Sequence, residues 1–274
     1  MVSSLYSSNA SQRGIALFNS STKSVNVSFA ALASGSRFTS ASIDSASQAI
    51  AAELELSTAR SNRASQNIGD ASSALNIADG AVSQIQDLSG RLQELAVQSA
   101  NGLYSDEQRA VLQDEFNSIT QEIQRITETT EFNGQQLLSG DDIAVQVGTD
   151  GSAQSSLAVG GFSISEQLAT LGSADISTQA GAQSAIATIT DFSQSVSSQR
   201  SDTIGTSYAR LTSIDEGIAT QLEAERASLA RLSDADIASE SAKLVQNTIR
   251  MQIGAALLGK DSANQTGVIL NLLA

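Results

Sequence analysis

Apolar side chains recur along this chain with the period of helices that bury one stripe. Ile15, Phe18, Thr22, Val25, Phe29 and Leu32 are spaced 3, 4, 3, 4 and 3 residues apart, which is the a/d pattern of a helical seam. Ser34-Gly35 ends it, as glycine does beyond a helix C-terminus. A second helical region is predicted from about Ser42 to Gly102, with Leu75, Ala78, Val82, Ile85, Leu88, Leu92 and Leu95 on its stripe and Asn101-Gly102 as its stop. Ser105-Asp106-Glu107 opens a third helix, with a hydroxyl at the cap and acids in the first turn. Its stripe is Leu112, Phe116, Ile119, Ile123 and Ile126, and Asn133-Gly134 closes it.

The period changes to two over Ile143, Val145 and Val147. A turn at Thr149-Asp150-Gly151-Ser152 and a return strand within 157–164 predict a small β-hairpin inside a region spanning about 141–172. Helix resumes near Gln179, and Ile204, Tyr208, Leu211, Ile214, Ile218, Leu222, Glu225, Leu229 and Leu232 mark a long stripe. Ser233 with Asp236 reads as a capping box with Asp in the usual Glu position. Ile237, Ser241, Leu244, Thr248, Met251, Ala255 and Leu258 then repeat at 4, 3, 4, 3, 4 and 3, ahead of an apolar tail that includes Leu270 and Leu272. The predicted fold class is mainly α: a long antiparallel helical bundle or coiled coil with a small β-hairpin.

Composition supports long helices and removes much chemistry. The 274 residues include no Pro, Cys, His or Trp. Proline breaks helix interiors, so its absence favours uninterrupted ones. Aromatics at 4% are few for the core of a compact enzyme of this size. Without His or Cys there is no Ser–His–Asp or Cys–His site and no zinc site built on those ligands. Asp150-Gly151 lacks the ligand series of a calcium loop and reads as a plain turn. No catalytic residue, metal site or cofactor is predicted. The first residues lack a basic segment followed by an apolar one, which predicts no cleavable secretory signal. The longest apolar run, near 253–258, is too short to span a bilayer.

Charge is unevenly placed. The net charge is −14, which argues against nucleic acid as a partner. Residues 1–43 are net +3, residues 234–274 net −1, and residues 44–233 net −16. Acidic surface faces water, and charge-poor apolar stripes face protein. The two terminal stripes match in length and would pair in one two-helix seam, which offers little core for its ordering cost. Two readings stay open from the residues alone: an ordinary intramolecular hairpin, and helices that complete their packing on neighbouring copies.

Several stretches resemble bacterial flagellin. Leu32-Ala33-Ser34-Gly35-Ser36-Arg37 is similar to the family's LSSGxR, and Gln48-Ala49-Ile50-Ala51 to its QAIA. The segment from Glu94 to Asn101 reads ELAVQSAN, as in the family; Phe132-Asn133-Gly134 and the strand at Ile143 to Gly148 also match. The C-terminal signature is represented by 232–236, Ala263-Asn264-Gln265 and 270–273. Departures occur at Ala30-Ala31, where the family has Glu-Arg, at 40–47, where a Lys, an Asp and a Gly are missing, and at Gly267, where Pro is common.

The resemblance implies a structural, non-enzymatic subunit of the extracellular bacterial flagellar filament, of a minimal form without large variable outer domains. Residues 1–40 and 234–274 would form a discontinuous inner coiled-coil domain, and 41–233 an outer helical-bundle domain. Copies would assemble into a helical homopolymer, with Ile15, Phe18, Val25, Phe29, Leu32, Ile237, Leu244, Met251, Leu258, Leu270 and Leu272 packing subunits together. Implied partners are further copies, a flagellar export chaperone, hook-junction and cap proteins, and the Toll-like flagellin receptor, with no nucleic acid and no membrane. Export would run through the flagellar type III apparatus as an unfolded chain. For the receptor, motif alignment carries the family's Arg, Leu and Glu onto Arg91, Leu95 and Glu115; Leu95 as core and Arg91 as a plain surface charge is the competing reading. A hook–filament junction protein is the nearest alternative identity. A helical adaptor would lack the β-hairpin and matched termini, and a flagellin carrying a protease domain would need histidine.

Overall fold

A computed structural model describes the backbone of residues 2–40, 43–152 and 155–273, and side chains over 12–40, 43–152 and 155–260. The elements in order are α1 (Val2–Ser34), α2 (Ser45–Ser99), α3 (Asp106–Thr129), β1 (Glu131–Phe132), β2 (Gln135–Gln136), β3 (Asp142–Gln146), β4 (Ser156–Gly160), α4 (Ser165–Gly172), α5 (Gln179–Gln199), a π-helical turn (Arg200–Gly205), α6 (Thr206–Ser233) and α7 (Ile237–Leu273). Two compact units form: residues 1–57 with 224–274, and residues 58–223. The division falls inside α2 and inside α6, whereas the sequence reading placed boundaries near 40 and 234.

The second unit, 58–223, has a continuous apolar core. On α2 the buried positions include Ile68, Ala71, Leu75, Ala78, Val82, Ile85, Ser89, Leu92 and Leu95. Ser89 takes the inward place expected of Leu88; its hydroxyl donates to the Ile85 carbonyl at 2.7 Å, so the buried oxygen is satisfied. Leu112, Phe116, Ile123 and Ile126 of α3 and Ile189, Phe192 and Val196 of α5 join the same core.

Helix α3 starts as the sequence implies. Ser105 is its N-cap, and the capping box closes through Gln108, whose side chain accepts from the Ser105 backbone at 3.0 Å. Its end differs from expectation. The helix stops at Thr129, and Asn133-Gly134 is the two-residue turn of the β1–β2 hairpin. Both residues have positive φ, 51° and 79°, as a type I′ turn needs. The hairpin predicted from the period-two signal pairs Asp142 with Gly160 through Gln146 with Ser156.

Residues 161–178 are less regular than either strand or long helix. They carry the short α4, which has no strong periodic signal, and polar side chains fasten them. Gln199 accepts from the Ser163 backbone at 2.8 Å and donates back to its carbonyl. Gln113 accepts from the Ile176 backbone at 2.5 Å, and the Ser99 hydroxyl donates to the Ile176 carbonyl at 2.5 Å.

In the first unit, α1 pairs with α7. Gly35, at φ 68°, ends α1 in the left-handed region. The strand-like link that follows is tied by Arg37 N to the Ser233 carbonyl at 2.7 Å and Ala235 N to the Gly35 carbonyl at 2.9 Å. The capping box expected at Ser233 does not form. Its hydroxyl turns back to the Leu229 carbonyl at 2.8 Å, and Asp236 caps α7 instead by accepting from Ser239 N at 3.0 Å. Asp236 lies directly before the first helical residue, where a carboxylate reaches the free N–H groups.

Candidate self-assembly surface

Small side chains line the contact between α1 and α7. Ser21, Ser28 and Ala31 are buried on α1. Gly254 of α7 lies against Phe18, whose backbone stands 3.7 Å from where a Cβ would be. Gly14 faces Leu258 in the same way, with 3.1 Å to the nearest methyl. Phe18, Val25 and Leu32 are half-buried beside these positions, as are Leu244, Met251 and Leu258. Six of the predicted packing residues therefore serve the intrachain seam.

Other members of the predicted set face outward. Phe29 is 65% exposed, Ile15 49% and Ile237 61%. They are joined by Leu17 and Val27 on α1, and by Val245, Ile249, Ile253 and Leu257 on α7. The last four are spaced by four residues, so they form one row along α7. This row lies beside the a/d stripe, which faces α1, so the heptad pattern does not announce it. The side chains of Leu270 and Leu272 lie outside the described residues. An apolar row of this length on a helix, exposed among the described residues, is the kind of patch that marks protein–protein contact.

The three residues matched to receptor recognition fall in the second unit. Arg91 Nη2 donates to Glu115 at 2.9 Å, and its Nη1 to Glu94 at 2.9 Å. The Glu115 and Glu94 hydrogen bonds hold the Arg91 guanidinium above its ordinary pKa. Arg91 and Glu115 are about half exposed. Leu95 is 1% exposed and belongs to the core. The expectation that Leu95 shares an accessible face with Arg91 as an apolar anchor is corrected: one turn of α2 carries Leu95 inward, where core burial outweighs exposure.

Two polar features were not singled out in the sequence. Arg200 forks onto Asp79 at 2.6 and 2.8 Å and donates to Gln86 at 2.7 Å. The Arg200 hydrogen bond holds the Asp79 carboxyl below its usual range. Arg109 is 4% exposed and donates to the carbonyls of Asn101 and Tyr104 at 3.0 and 3.1 Å, closing the turn between α2 and α3. No group of three or more His, Cys, Asp or Glu side chains suited to a metal occurs among the described residues. No described helix is long and apolar enough to cross a membrane.

A helical chain that closes one core and leaves apolar rows along its terminal helix pair is a structural subunit made to associate. Its residues 2–142 match the bacterial flagellin N-terminal helical region, and residues 186–273 the C-terminal helical region. The chain belongs to the bacterial flagellins and is a flagellar filament subunit. It is 32% identical to a flagellin of Halalkalibacterium halodurans over 88% of this chain and 89% of that one. It is 30% identical to a flagellin of Listeria innocua, over 88% and 89%, and 30% identical to a flagellar filament 33 kDa core protein of Treponema phagedenis, over 91% and 92%.

The crystal structure of Bacillus cereus flagellin is similar in fold, with a TM-score of 0.50 at 23% identity over 56% of this chain and 88% of that one. A putative flagellar hook-associated protein from Vibrio parahaemolyticus gives 0.58 at 16% identity, over 69% and 99%. Its low identity speaks to fold alone, and the junction-protein alternative is not favoured. The family is structural, in keeping with the expected lack of catalysis.

Proposed function

We propose that filament growth buries the outward rows of α1 and α7 against neighbouring copies, with Phe29, Ile15 and Ile237 among the contacts. The observation that carries this is Phe29 at 65% exposure in a segment without local charge. A phenylalanine buried at a subunit contact supplies a large apolar area. The half-buried residues Phe18, Val25, Leu32, Leu244, Met251 and Leu258 contribute by shaping the helix pair that presents those rows. Residues 1–40 with 234–274 act as the inner assembly domain, and 41–233 as the outer domain whose acidic surface meets water outside the cell. The test is sedimentation of purified chain under assembly conditions with electron microscopy of the pellet. Tubular filaments from wild type, and none from Phe29→Asp with its helical content retained, are expected. Normal filaments from the variant would remove the seam assignment.

The same surface would need covering before assembly, the role of an export chaperone, and would meet the cap and hook-junction proteins at the two filament ends. Arg91 and Glu115 favour a second contact, with the Toll-like flagellin receptor. Their exposed, multi-donor pair suits interface recognition. Replacing both with Ala is expected to weaken signalling by monomer in a reporter-cell assay while thermal unfolding stays nearly unchanged. Full activity in that double variant would return the pair to plain helix-to-helix bracing.

A further inference from the structure

The unit formed by residues 1–57 and 224–274 contains a cleft of ≈ 470 Å³ with an apolar and basic lining. Val27, Ala31 and Ile43 supply the apolar part, and Lys23, Arg37 and Lys243 surround it together with Glu240. Glu240 is occupied within the unit, because Lys243 donates to it at 2.6 Å. Arg37 reaches Asp44 only at 3.5 Å, and its guanidinium lies 5.1 Å from the Phe38 ring centre. Lys23 has no ion pair among the described residues. The cleft is thus a local excess of cations. This unit holds eight acids and eight bases, so it is otherwise neutral, whereas residues 58–223 hold 21 acids and seven bases and carry the whole net charge.

One corner of the acidic unit has the complementary chemistry. Leu103, in the turn between α2 and α3, is 90% exposed, and Val111 is 68% exposed. Asp106, Glu107 and Asp114 are exposed around them. Glu107, Val111 and Asp114 are spaced 4 and 3 residues apart on α3, so they share one face. Asp106 meets Arg109 only at 3.9 Å, and Asp114 has no ion pair among the described residues. A single exposed leucine is ordinary. Two apolar side chains framed by three acids, none with a cation closer than 3.9 Å among the described residues, match a cleft that is apolar and framed by cations. A polyanion such as nucleic acid is a poor occupant, since a chain of net charge −14 repels it.

We propose that this cleft receives the α2–α3 corner of a second copy, with Leu103 and Val111 against Val27 and Ala31, and Asp106, Glu107 and Asp114 facing Lys23, Arg37 and Lys243. The proposal rests on self-assembly and adds an ionic contact to it. Cleft and corner are different surfaces, so each copy offers one of each. A contact of that heterologous kind links copies head to tail, and it extends as an open helical fibre when its rotation does not close a ring.

Charge exchange tests it. Lys23 and Asp114 have no ion pair among the described residues, so reversing either leaves the described folding contacts in place. Lys23→Glu and Asp114→Lys should each raise the critical concentration for polymerisation about tenfold or more at low salt, because like charges then meet. The chain carrying both should return to within a few-fold of wild type, and about 1 M salt should shrink all the differences. A double variant no better than the product of the two single effects overturns the proposal, whereas a wild type that forms no filaments overturns the self-assembly reading instead. A second measurement needs no variant. Filaments grown from an equal mixture of ¹⁴N and ¹⁵N chains are treated with a carbodiimide, which joins amine to carboxylate directly. Lys23 linked to Asp106, Glu107 or Asp114 in mixed-isotope peptides is expected. Links confined to same-isotope peptides, or Lys23 joined only to other carboxylates, reject the contact.

Discussion

Phe29→Ala isolates the apolar part of assembly. Phe29 sits on α1 with 65% of its surface open to water, and a phenylalanine contributes roughly 200 Å² of buried area when fully covered. Covering the exposed share therefore removes about 130 Å² from water, and at about 25 cal/mol per Å² this stabilises each added subunit by ~3 kcal/mol. Alanine keeps a fraction of that area, and the neighbours relax to fill part of the gap, so a loss of about 1.5–3 kcal/mol is expected. Each 1.4 kcal/mol is a factor of about ten in an equilibrium constant, which puts the rise in critical concentration at roughly 10–100-fold. The assay is sedimentation across a dilution series, with the soluble plateau read as the critical concentration. Circular dichroism on the same samples checks that helix content is kept, since Phe29 contributes little to the intrachain seam. A plateau within about twofold of wild type would mean that Phe29 stays in water in the filament, and the outward-row argument would fail with it.

Leu95→Ala should behave in the opposite way, because this side chain is 1% exposed: unfolding in denaturant is expected to lose about 2–5 kcal/mol, while Arg91→Ala hardly moves the midpoint. Asp79 has its carboxyl pKa depressed by Arg200, so its contribution is present above the usual carboxylate value of 3.8 and is lost as pH falls through the lower folded value. Asp79→Asn should therefore lower the thermal midpoint at neutral pH and narrow the gap from wild type as pH falls below about 4, as thermal melts across pH 2–7 would reveal. Limited proteolysis should cut the α1–α7 pair of monomer before residues 58–223, since its seam is built of Gly14, Ser21, Ser28 and Gly254, and should spare that pair in filaments; early cutting inside 58–223 would contradict the weak-seam reading.

Most helices were legible because their stripes are long and no proline interrupts them. The β3–β4 hairpin was legible for a similar reason, since three β-branched residues alternate with smaller or polar ones. The short α4 was not, because eight residues give a periodic signal too little length to rise above the Ser- and Gly-rich background. At Ser233 and Asp236 two capping residues competed, and spacing alone could not say which would sit at the helix start. The assembly surface was half legible. A stripe in sequence names the residues on one helix face, but not whether that face meets its own chain or another. For Val25 and Leu244 it meets the chain's own partner helix, whereas for Phe29 and Ile237 it faces away. Arg109 and Arg200 were invisible because their partners lie at turns or more than a hundred residues away.

The π-helical turn at Arg200–Gly205 sets the phase of everything after it. Buried positions on α5 advance by three or four residues as far as Val196, after which the inward series resumes at Ile204, Ser207 and Leu211. Continuing the earlier rhythm would have placed it at 203, 206 and 210. The wide turn has absorbed one additional residue, and each residue of α-helix is worth about 100° of rotation. A deletion of one residue within 200–205 would let the turn relax to ordinary α-helix, yet leave the sequence downstream facing the same way. A one-residue insertion further along α6 has no such reservoir and would rotate Ile218 and Leu222 out of the core together. Length changes in this stretch are therefore tolerated asymmetrically, with the π-turn serving as the place where the helix can lose a residue without losing its register.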